Sequence, residues 1–160
     1  MLSITIIAVG KIKEKFYTQA VTEYSKRLSA YCKFEVIEVK DEKTPENPTE
    51  AEKCAVLSSE AERIIPKIPK GAKVISLCVE GNEMPSEDLA KVIKDAALEG
   101  TSRIVFIIGG SFGLSEEVKK LSDLRLSFSK MTFPHMLMRV ILAEQLYRAF
   151  TIIEGRTYHK

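Results

Sequence analysis

The sequence lacks tryptophan and is poor in cysteine and histidine, with three and two residues respectively among 160. Cys32, Cys54 and Cys78 are far apart and form no CxxC pair. This spacing predicts reduced, structural thiols and supports neither a disulfide framework nor a zinc site. We therefore expect a protein without a metal ion.

Long apolar segments are also absent. The apolar run at 2–9 is too short to cross a bilayer or to form the core of a signal peptide, and Lys11, Lys13 and Lys15 follow it directly. We expect a cytoplasmic protein that makes no membrane contact. The 45% apolar and 29% charged residues are ordinary for a compact domain, and the length predicts one domain, 1–160.

The net charge of +2 is too small to indicate a nucleic-acid binder by itself, but the charge is unevenly distributed. Between residues 41 and 62, seven acidic residues stand against two lysines, whereas residues 125–160 contain six basic residues against two glutamates. The basic C-terminal part suits a polyanionic partner. An ordinary solvated surface is the alternative.

Apolar β-branched runs alternate with amphipathic segments along the chain. Strands are predicted at 3–9, 34–39, 72–79, 103–108 and 123–128, and helices at 11–31, 49–66, 85–99, 115–121 and 134–151. The acidic stretch 41–49 contains two prolines and is predicted to be a mobile surface loop. The alternation predicts an α/β fold with an open, mostly parallel sheet covered by helices on both faces.

A glycine turn follows the predicted strand at 103–108. Gly109, Gly110 and Gly113 precede a helix that begins at Ser115 with two glutamates in its first turn. The spacing is neither the GxGxxG of a dinucleotide site nor a Walker motif, and the glutamates would repel phosphate. The turn therefore favours a nucleoside or another neutral to cationic ligand, with a plain tight turn as the alternative.

The stretch 127–135, SFSKMTFPH, combines hydroxyl groups, apolar side chains and a proline that fixes the start of the last helix. Ligands of open α/β sheets bind outside the carboxyl ends of adjacent strands, so this loop and the glycine turn together suit an adenosine-like group. A helix N-terminus disfavours the imidazolium form of His135, which predicts a neutral imidazole able to accept or donate a hydrogen bond. A structural cap is the alternative.

The last predicted helix is apolar around most of its circumference. Such a helix must be buried, and we expect a second subunit to cover it in a homodimer. Arg139 lies one turn after His135 and is a candidate for contacting a phosphate or a base. Glu144 and Arg148 have the i,i+4 spacing of an ordinary helix-surface ion pair, which is the favoured interpretation of both.

The chain ends in Tyr158, His159 and Lys160. An aromatic ring, an imidazole and a cation can stack on a base, move a proton and pair with a phosphate. A frayed terminus without function is the alternative.

Four segments together resemble one family: ITIIAVGKIKEKF at the start, the FIIGGSFGL turn, the block LSFSKMTFPHMLMRVILAEQLYRAF and the closing YHK. They are similar to the bacterial large-subunit ribosomal RNA methyltransferase H family, a minimal SPOUT class, over essentially the whole chain. The resemblance implies a trefoil-knotted C-terminal region, S-adenosyl-L-methionine as methyl donor and a homodimer with its active site at the subunit boundary. It also implies methylation of N3 of a pseudouridine in the ribosome-interface stem-loop of 23S rRNA.

The resemblance implies cofactor contacts at three neighbouring strand ends, on Leu77, Gly109, Phe128, Ser129, Lys130, Met131, Thr132 and Phe133. Our hypothesis is that His135 or His159 relays the proton of N3, that Arg139 holds a phosphate or the uracil oxygens, and that Tyr158 stacks on or positions the base. The tail would then come from the partner subunit.

A small chain of net charge +2 neutralises few phosphates, so the expected substrate is 23S rRNA within the assembled ribosome. Two alternatives stay open. The first is a SPOUT enzyme that acts on another position, such as a tRNA base or a ribose 2′-hydroxyl. The second is a catalytically silent nucleotide-binding or ribosome-associated module.

Overall fold

The computed structural model describes all 160 residues, Met1–Lys160. The strands are β1 (Ser3–Val9), β2 (Lys33–Val39), β3 (Lys73–Glu83), β4 (Arg103–Ile108) and β5 (Leu124–Ser127). The helices are α1 (Lys15–Leu28), α2 (Glu50–Ile64), α3 (Ser86–Leu98), α4 (Glu116–Lys120) and α5 (His135–Ile153), and a short 3-10 helix (Ile65–Lys67) follows α2.

The five strands form one sheet in the order β2-β1-β4-β3-β5, and every neighbouring pair is parallel. The order places β4 at the centre and makes the chain pass over β3 to reach the edge strand β5. The predicted open parallel sheet is confirmed.

Both faces of the sheet are covered, because side chains alternate between faces along each strand. In β4, Ile104, Phe106 and Ile108 pack on one side with apolar residues of α1, α3 and α5. Val105 and Ile107 point to the other side, where they meet residues of α2 and α4. The predicted helical layers on both faces are therefore confirmed.

Strand β3 extends further than its apolar run predicts. Leu77 and Asn82 both pair with Leu126 of β5, so residues 78–81 bulge out of the ladder. A Cβ on Gly81 would lie 2.7 Å from the backbone oxygen of Arg125, so only glycine fits there. The strand continues beyond its predicted end at residue 79. The bulge changes the direction of the side chains of residues 78–81 at the carboxyl edge of the sheet.

Helix α2 begins as its sequence predicts. Thr49 Oγ1 accepts a hydrogen bond from the Glu52 amide at 3.1 Å, and Glu52 Oε1 accepts one from the Thr49 amide at 3.2 Å. This reciprocal pair is a capping box, which satisfies two amide groups at the helix start.

Helix α5 packs against both α1 and α3, so its own chain covers much of its apolar surface. Leu142, Leu146 and Ala149 are fully buried, whereas Leu137 and Ile141 remain half-buried. The helix is not long and apolar enough to span a membrane, and neither is any other in the chain. The trefoil knot stays a prediction.

Candidate active site

A cavity of about 330 Å³ lies at the carboxyl ends of β3, β4 and β5. Its walls come from three segments: the β3 bulge, the glycine turn after β4 and the loop after β5. We call it the first cavity. Seven of the eight predicted cofactor contacts line it, namely Leu77, Gly109, Phe128, Ser129, Met131, Thr132 and Phe133. Lys130 does not line it and is exposed.

The glycine turn closes tightly on itself. A Cβ on Gly109 would stand 2.2 Å from the backbone oxygen of Gly113, a distance that no side chain tolerates. Gly110 and Gly113 form an isolated antiparallel bridge, and Gly113 has a φ of 80°, in the region that favours glycine. The turn therefore presents bare backbone to the first cavity.

The loop after β5 is held by its own hydroxyl groups. Ser127 Oγ donates to the Ser129 carbonyl at 3.0 Å, and Ser129 Oγ accepts from the Met131 amide at 3.0 Å. Both bonds fix the backbone at the cavity wall. Met131 is 74% exposed, so its side chain lies at the rim.

An ion pair lines the first cavity next to the β3 bulge. Glu80 lines the cavity and forms an ion pair with Lys119 of α4. The hydrogen bond from Lys119 lowers the pKa of Glu80 below its usual value, so the carboxylate stays ionised at neutral pH. Lys119 lines the same cavity, so this pair adds no net charge to the wall.

His135, the first residue of α5, also lines the first cavity. Burial lowers the pKa of His135, and the nearby positive charge of Arg139 lowers it further, against an opposing effect of Asp41. Burial and the charge of Arg139 both favour the neutral imidazole near pH 7, which can accept a proton.

Arg139 does not reach the cavity. Its side chain is 1% exposed, and Nη1 lies 2.5 Å from Glu38 Oε2. Nη2 donates to the backbone oxygens of Val9 and Gly10 at 3.1 and 2.5 Å. This contradicts the expectation that Arg139 contacts a phosphate or a base, because the guanidinium is committed to joining α5 to β1 and β2.

The C-terminal tail forms a separate cluster against α5 and α3. Tyr158 donates to Glu144 Oε1 at 3.1 Å. His159 Nδ1 lies 3.0 Å from Arg148 Nη1, and His159 Nε2 lies 2.8 Å from Glu87 Oε1. Neither Tyr158 nor His159 lines the first cavity, so the structure of one chain does not bring these two predicted catalytic residues to the predicted cofactor contacts.

The ion pair expected within α5 is confirmed, with Arg148 Nη2 2.5 Å from Glu144 Oε1. The Arg148 guanidinium also lies 4.9 Å from the centre of the Tyr158 ring. Burial, followed by the hydrogen bond to Glu144, raises the pKa of Tyr158 to about 12. The phenol therefore stays protonated at neutral pH and acts as a hydrogen-bond donor.

Sequence reasoning missed Glu60, which it assigned to the acidic stretch at 41–62. Glu60 is 5% exposed on α2 and accepts a hydrogen bond from the Glu42 amide at 3.0 Å. Burial raises the pKa of Glu60, and the negative charge of Asp41 adds to this shift. The signal was its spacing, since Glu60 lies four residues from both Val56 and Ile64 on the buried face of α2.

Glu60 lines a second cavity of about 370 Å³. The two cavities share His135 and the segment 110–112, which form a common wall. Arg63 Nη2 pairs with Glu42 at 2.5 Å and helps to hold the acidic loop at this wall. No group of three His, Cys, Asp or Glu side chains is arranged to hold a metal ion.

A family model matches the amino-acid sequence over nearly the whole chain. The model described as "Predicted SPOUT methyltransferase" matches residues 2–159. The chain belongs to the SPOUT methyltransferase family.

Individual relatives of this SPOUT chain are similar over their full length. A protein from Clostridium perfringens named ribosomal RNA large subunit methyltransferase H 1 is 52% identical, with 99% of this chain and 100% of the relative covered. A provisionally named protein of the same kind from Methanococcus maripaludis is 58% identical with the same coverage.

Solved structures share the fold at low sequence identity. A probable methylase family protein from Haemophilus influenzae matches with a TM-score of 0.52 at 13% identity, covering 99% of this chain and 70% of that one. A structure described as giving insights into the 2-OH methylation of C/U34 on tRNA matches with a TM-score of 0.55 at 13% identity. The match covers 97% of this chain and 99% of that one. These likenesses support the SPOUT fold.

Proposed function

We propose that this SPOUT protein uses S-adenosyl-L-methionine to methylate N3 of a pseudouridine in 23S rRNA, on the assembled ribosome and as a homodimer. The observation that carries the proposal is the first cavity, which gathers three strand-end segments at the edge where open α/β sheets bind ligands. The names of the full-length relatives support the ribosomal RNA substrate.

The residues of the first cavity fit the cofactor. Its volume of about 330 Å³ lies in the usual range for a small-molecule site. Eleven of its 21 lining residues are hydrophobic, which suits an adenine ring. The bare backbone at Gly109 and the loop at 128–133 would hold the nucleoside. When bound, S-adenosylmethionine supplies a methyl group on a positively charged sulfur.

The chain must also remove the proton of N3 as the methyl group is transferred. Neutral His135 lies in the wall shared by both cavities, so it is placed to accept that proton. His159 is the second candidate base, and Tyr158 would position the acceptor base. Both lie outside the first cavity of their own chain, so these roles require the tail of a second copy.

A homodimer is supported by the apolar side chains that α5 leaves half-buried. Leu137, Val140 and Ile141 lie in the N-terminal half of α5, within two turns of His135. A second copy packed there would remove this surface from water and would bring another tail towards the first cavity.

The small net charge of +2 supports an assembled substrate over naked RNA. A chain with few phosphate contacts gains little affinity from charge alone, so the shape of the ribosome has to supply the remaining contacts.

The experiment compares methyl transfer from labelled S-adenosylmethionine to free 23S rRNA, isolated large subunits and joined ribosomes. Nucleoside mass spectrometry then identifies the product. We expect N3-methylpseudouridine, formed fastest in joined ribosomes. Equal rates on free 23S rRNA would contradict the assembled substrate, and label on another nucleoside would contradict the assigned target.

A further inference from the structure

The second cavity differs in chemistry from the first. Only three of its 14 lining residues are hydrophobic. Its polar lining includes two lysines and four carboxylates, Lys11, Lys13, Glu14, Asp41, Glu42 and Glu60. It shares His135 and Phe112 with the first cavity, so a molecule bound in it would lie next to a cofactor in the first. Since a methyl acceptor has to approach its donor closely, this polar cavity is placed for the acceptor.

Glu60 has an unused acceptor in that cavity. Oε2 accepts from the Glu42 amide at 3.0 Å, whereas Oε1 has no hydrogen-bond partner in the chain. The side chain is 95% removed from solvent, since it is 5% exposed. Both oxygens lie beside the shared wall, 3.6 and 3.5 Å from where a Cβ on Gly110 would stand. Oε1 is not a fully buried atom, so it is open to the cavity as an acceptor for a ligand N–H.

The charges in the cavity indicate how a nucleotide would lie. Of its carboxylates, Glu60 is buried and Glu42 half-buried, whereas Glu14 and Asp41 are exposed. The two inner carboxylates disfavour a phosphate deep in the cavity and favour N–H groups there. Lys11 and Lys13 are exposed, so a phosphate would pair with them at the mouth. Phe112 supplies an aromatic ring on which the base can stack, as unpaired RNA bases commonly do, and His135 is left at the base edge to accept the N3 proton.

We infer that the second cavity holds the acceptor nucleotide and that Glu60 selects pseudouridine over uridine by accepting a hydrogen bond from ring N1–H. This inference rests on the proposed function. In pseudouridine the ribose is attached to carbon, so N1 and N3 both carry hydrogen and are separated by one carbonyl carbon. N3 faces the methyl donor while N1–H points to Glu60. In uridine N1 carries the ribose, and the carboxylate would be left without a donor.

Glu60→Gln is the discriminating variant. The glutamine carboxamide has a single oxygen, which accepts the hydrogen bond from the Glu42 amide. Its NH₂ group would then face N1–H of the base, so that two donors would meet and no hydrogen bond would form. Glu62→Gln is the matched control, because Glu62 is exposed on the same helix two positions away and the charge change is identical.

The experiment measures single-turnover methyl transfer to joined ribosomes that contain either pseudouridine or uridine at the target position. The parent and Glu62→Gln should prefer pseudouridine by at least about tenfold, because a site built around a donor rejects the analogue that lacks it. Glu60→Gln should lose most of this preference while binding S-adenosylmethionine with unchanged affinity. If Glu60→Gln kept the parent's preference, the inference would be overturned.

A second pair of variants tests the placement of the nucleotide without touching a buried group. Lys11→Gln with Lys13→Gln should raise KM for ribosomes about tenfold at unchanged cofactor affinity and weaken the salt dependence. Lys15→Gln, exposed but outside the cavity, should have little effect. An equal KM in the double variant and the control would overturn the inference, even if Glu60→Gln proved unable to fold. A parent that methylates neither ribosome would instead overturn the proposed function, and this inference with it.

Discussion

Arg139 of α5 and Glu38 of β2, which lie 101 positions apart in the chain, form an ion pair with Nη1 2.5 Å from Oε2. The arginine side chain is 1% exposed and the glutamate side chain 37% exposed. The same guanidinium donates to the backbone oxygens of Val9 and Gly10. These bonds fix the carboxyl end of β1 to the first turns of α5. His135, the first residue of α5, lines both cavities at this point.

Replacing Arg139 should therefore cost stability. Arg139→Met removes the buried cation and leaves the Val9 and Gly10 oxygens without their donor, so we expect a loss of about 3 kcal/mol in the free energy of unfolding. Arg156→Met, which breaks an exposed pair with Glu154, should change it by less than about 1 kcal/mol. Urea unfolding measures both. If Arg139→Met unfolded like the parent and lost only activity, Arg139 would be a substrate contact after all.

The lowered pKa of His135 predicts a pH dependence of stability. The folded protein binds a proton at His135 less readily than the unfolded chain, whose histidine has the ordinary value of 6.5. This group therefore lowers stability as the pH falls through 6.5 towards the folded pKa. His135→Gln should flatten the melting temperature between about pH 7 and pH 5. His159→Gln is the control, because it shows whether removing any histidine flattens the profile. If the pH profile of His135→Gln equalled that of the parent, the lowered pKa of His135 would be contradicted.

The glycine turn predicts a strong effect of one methyl group. Gly109→Ala places a Cβ 2.2 Å from the Gly113 oxygen, so the turn has to open. We expect cofactor binding to weaken by at least about tenfold, since a displacement of about 1 Å at a site has effects of this size or larger. The cofactor-induced rise in melting temperature measures this. Gly100→Ala, at φ 90° with no atom within 4 Å, should cost about 1 kcal/mol of stability from backbone strain and leave the cofactor-induced rise intact.

The position of the C-terminal tail predicts that its removal affects catalysis but not cofactor binding. Because Tyr158 and His159 lie outside the first cavity of their own chain, deleting residues 158–160 should leave cofactor affinity nearly intact. His159→Ala or the deletion should lower single-turnover methyl transfer by more than about tenfold, the usual size of a lost acid–base or positioning group. Thr157→Ala, exposed next to the tail, is the control. Parental rates in the deletion variant would show that the tail has no catalytic role.

The sheet and the helical layers on its two faces were predictable because each strand is a short apolar run in the sequence. In β4 the run Arg103–Ile108 has apolar side chains on both faces, which only a strand buried between two layers of helices explains. Glycines and prolines mark the strand ends, so the three segments of the first cavity were predictable as well.

The less predictable features depend on contacts between distant residues. Arg139 reads as a functional cation on an apolar helix, because nothing nearby in the sequence shows that Glu38 and the β1 carbonyls surround it. Glu60 reads as one more acid in a charged stretch, and only its four-residue spacing from the apolar Val56 and Ile64 indicates that it lies on the buried face of α2. The continuation of β3 through residues 80–83 was missed because Gly81 and the polar residues around it are typical of a loop.

Binding of a sulfonium nucleoside in the cavity at the ends of β3, β4 and β5 is the property on which the proposed methyl transfer depends most. Isothermal titration of S-adenosylmethionine into the parent protein tests this claim directly. We predict saturable binding at micromolar concentrations, about as tight as enzymes commonly bind small substrates. The absence of any binding heat and of any protection from unfolding at high micromolar cofactor would contradict the account.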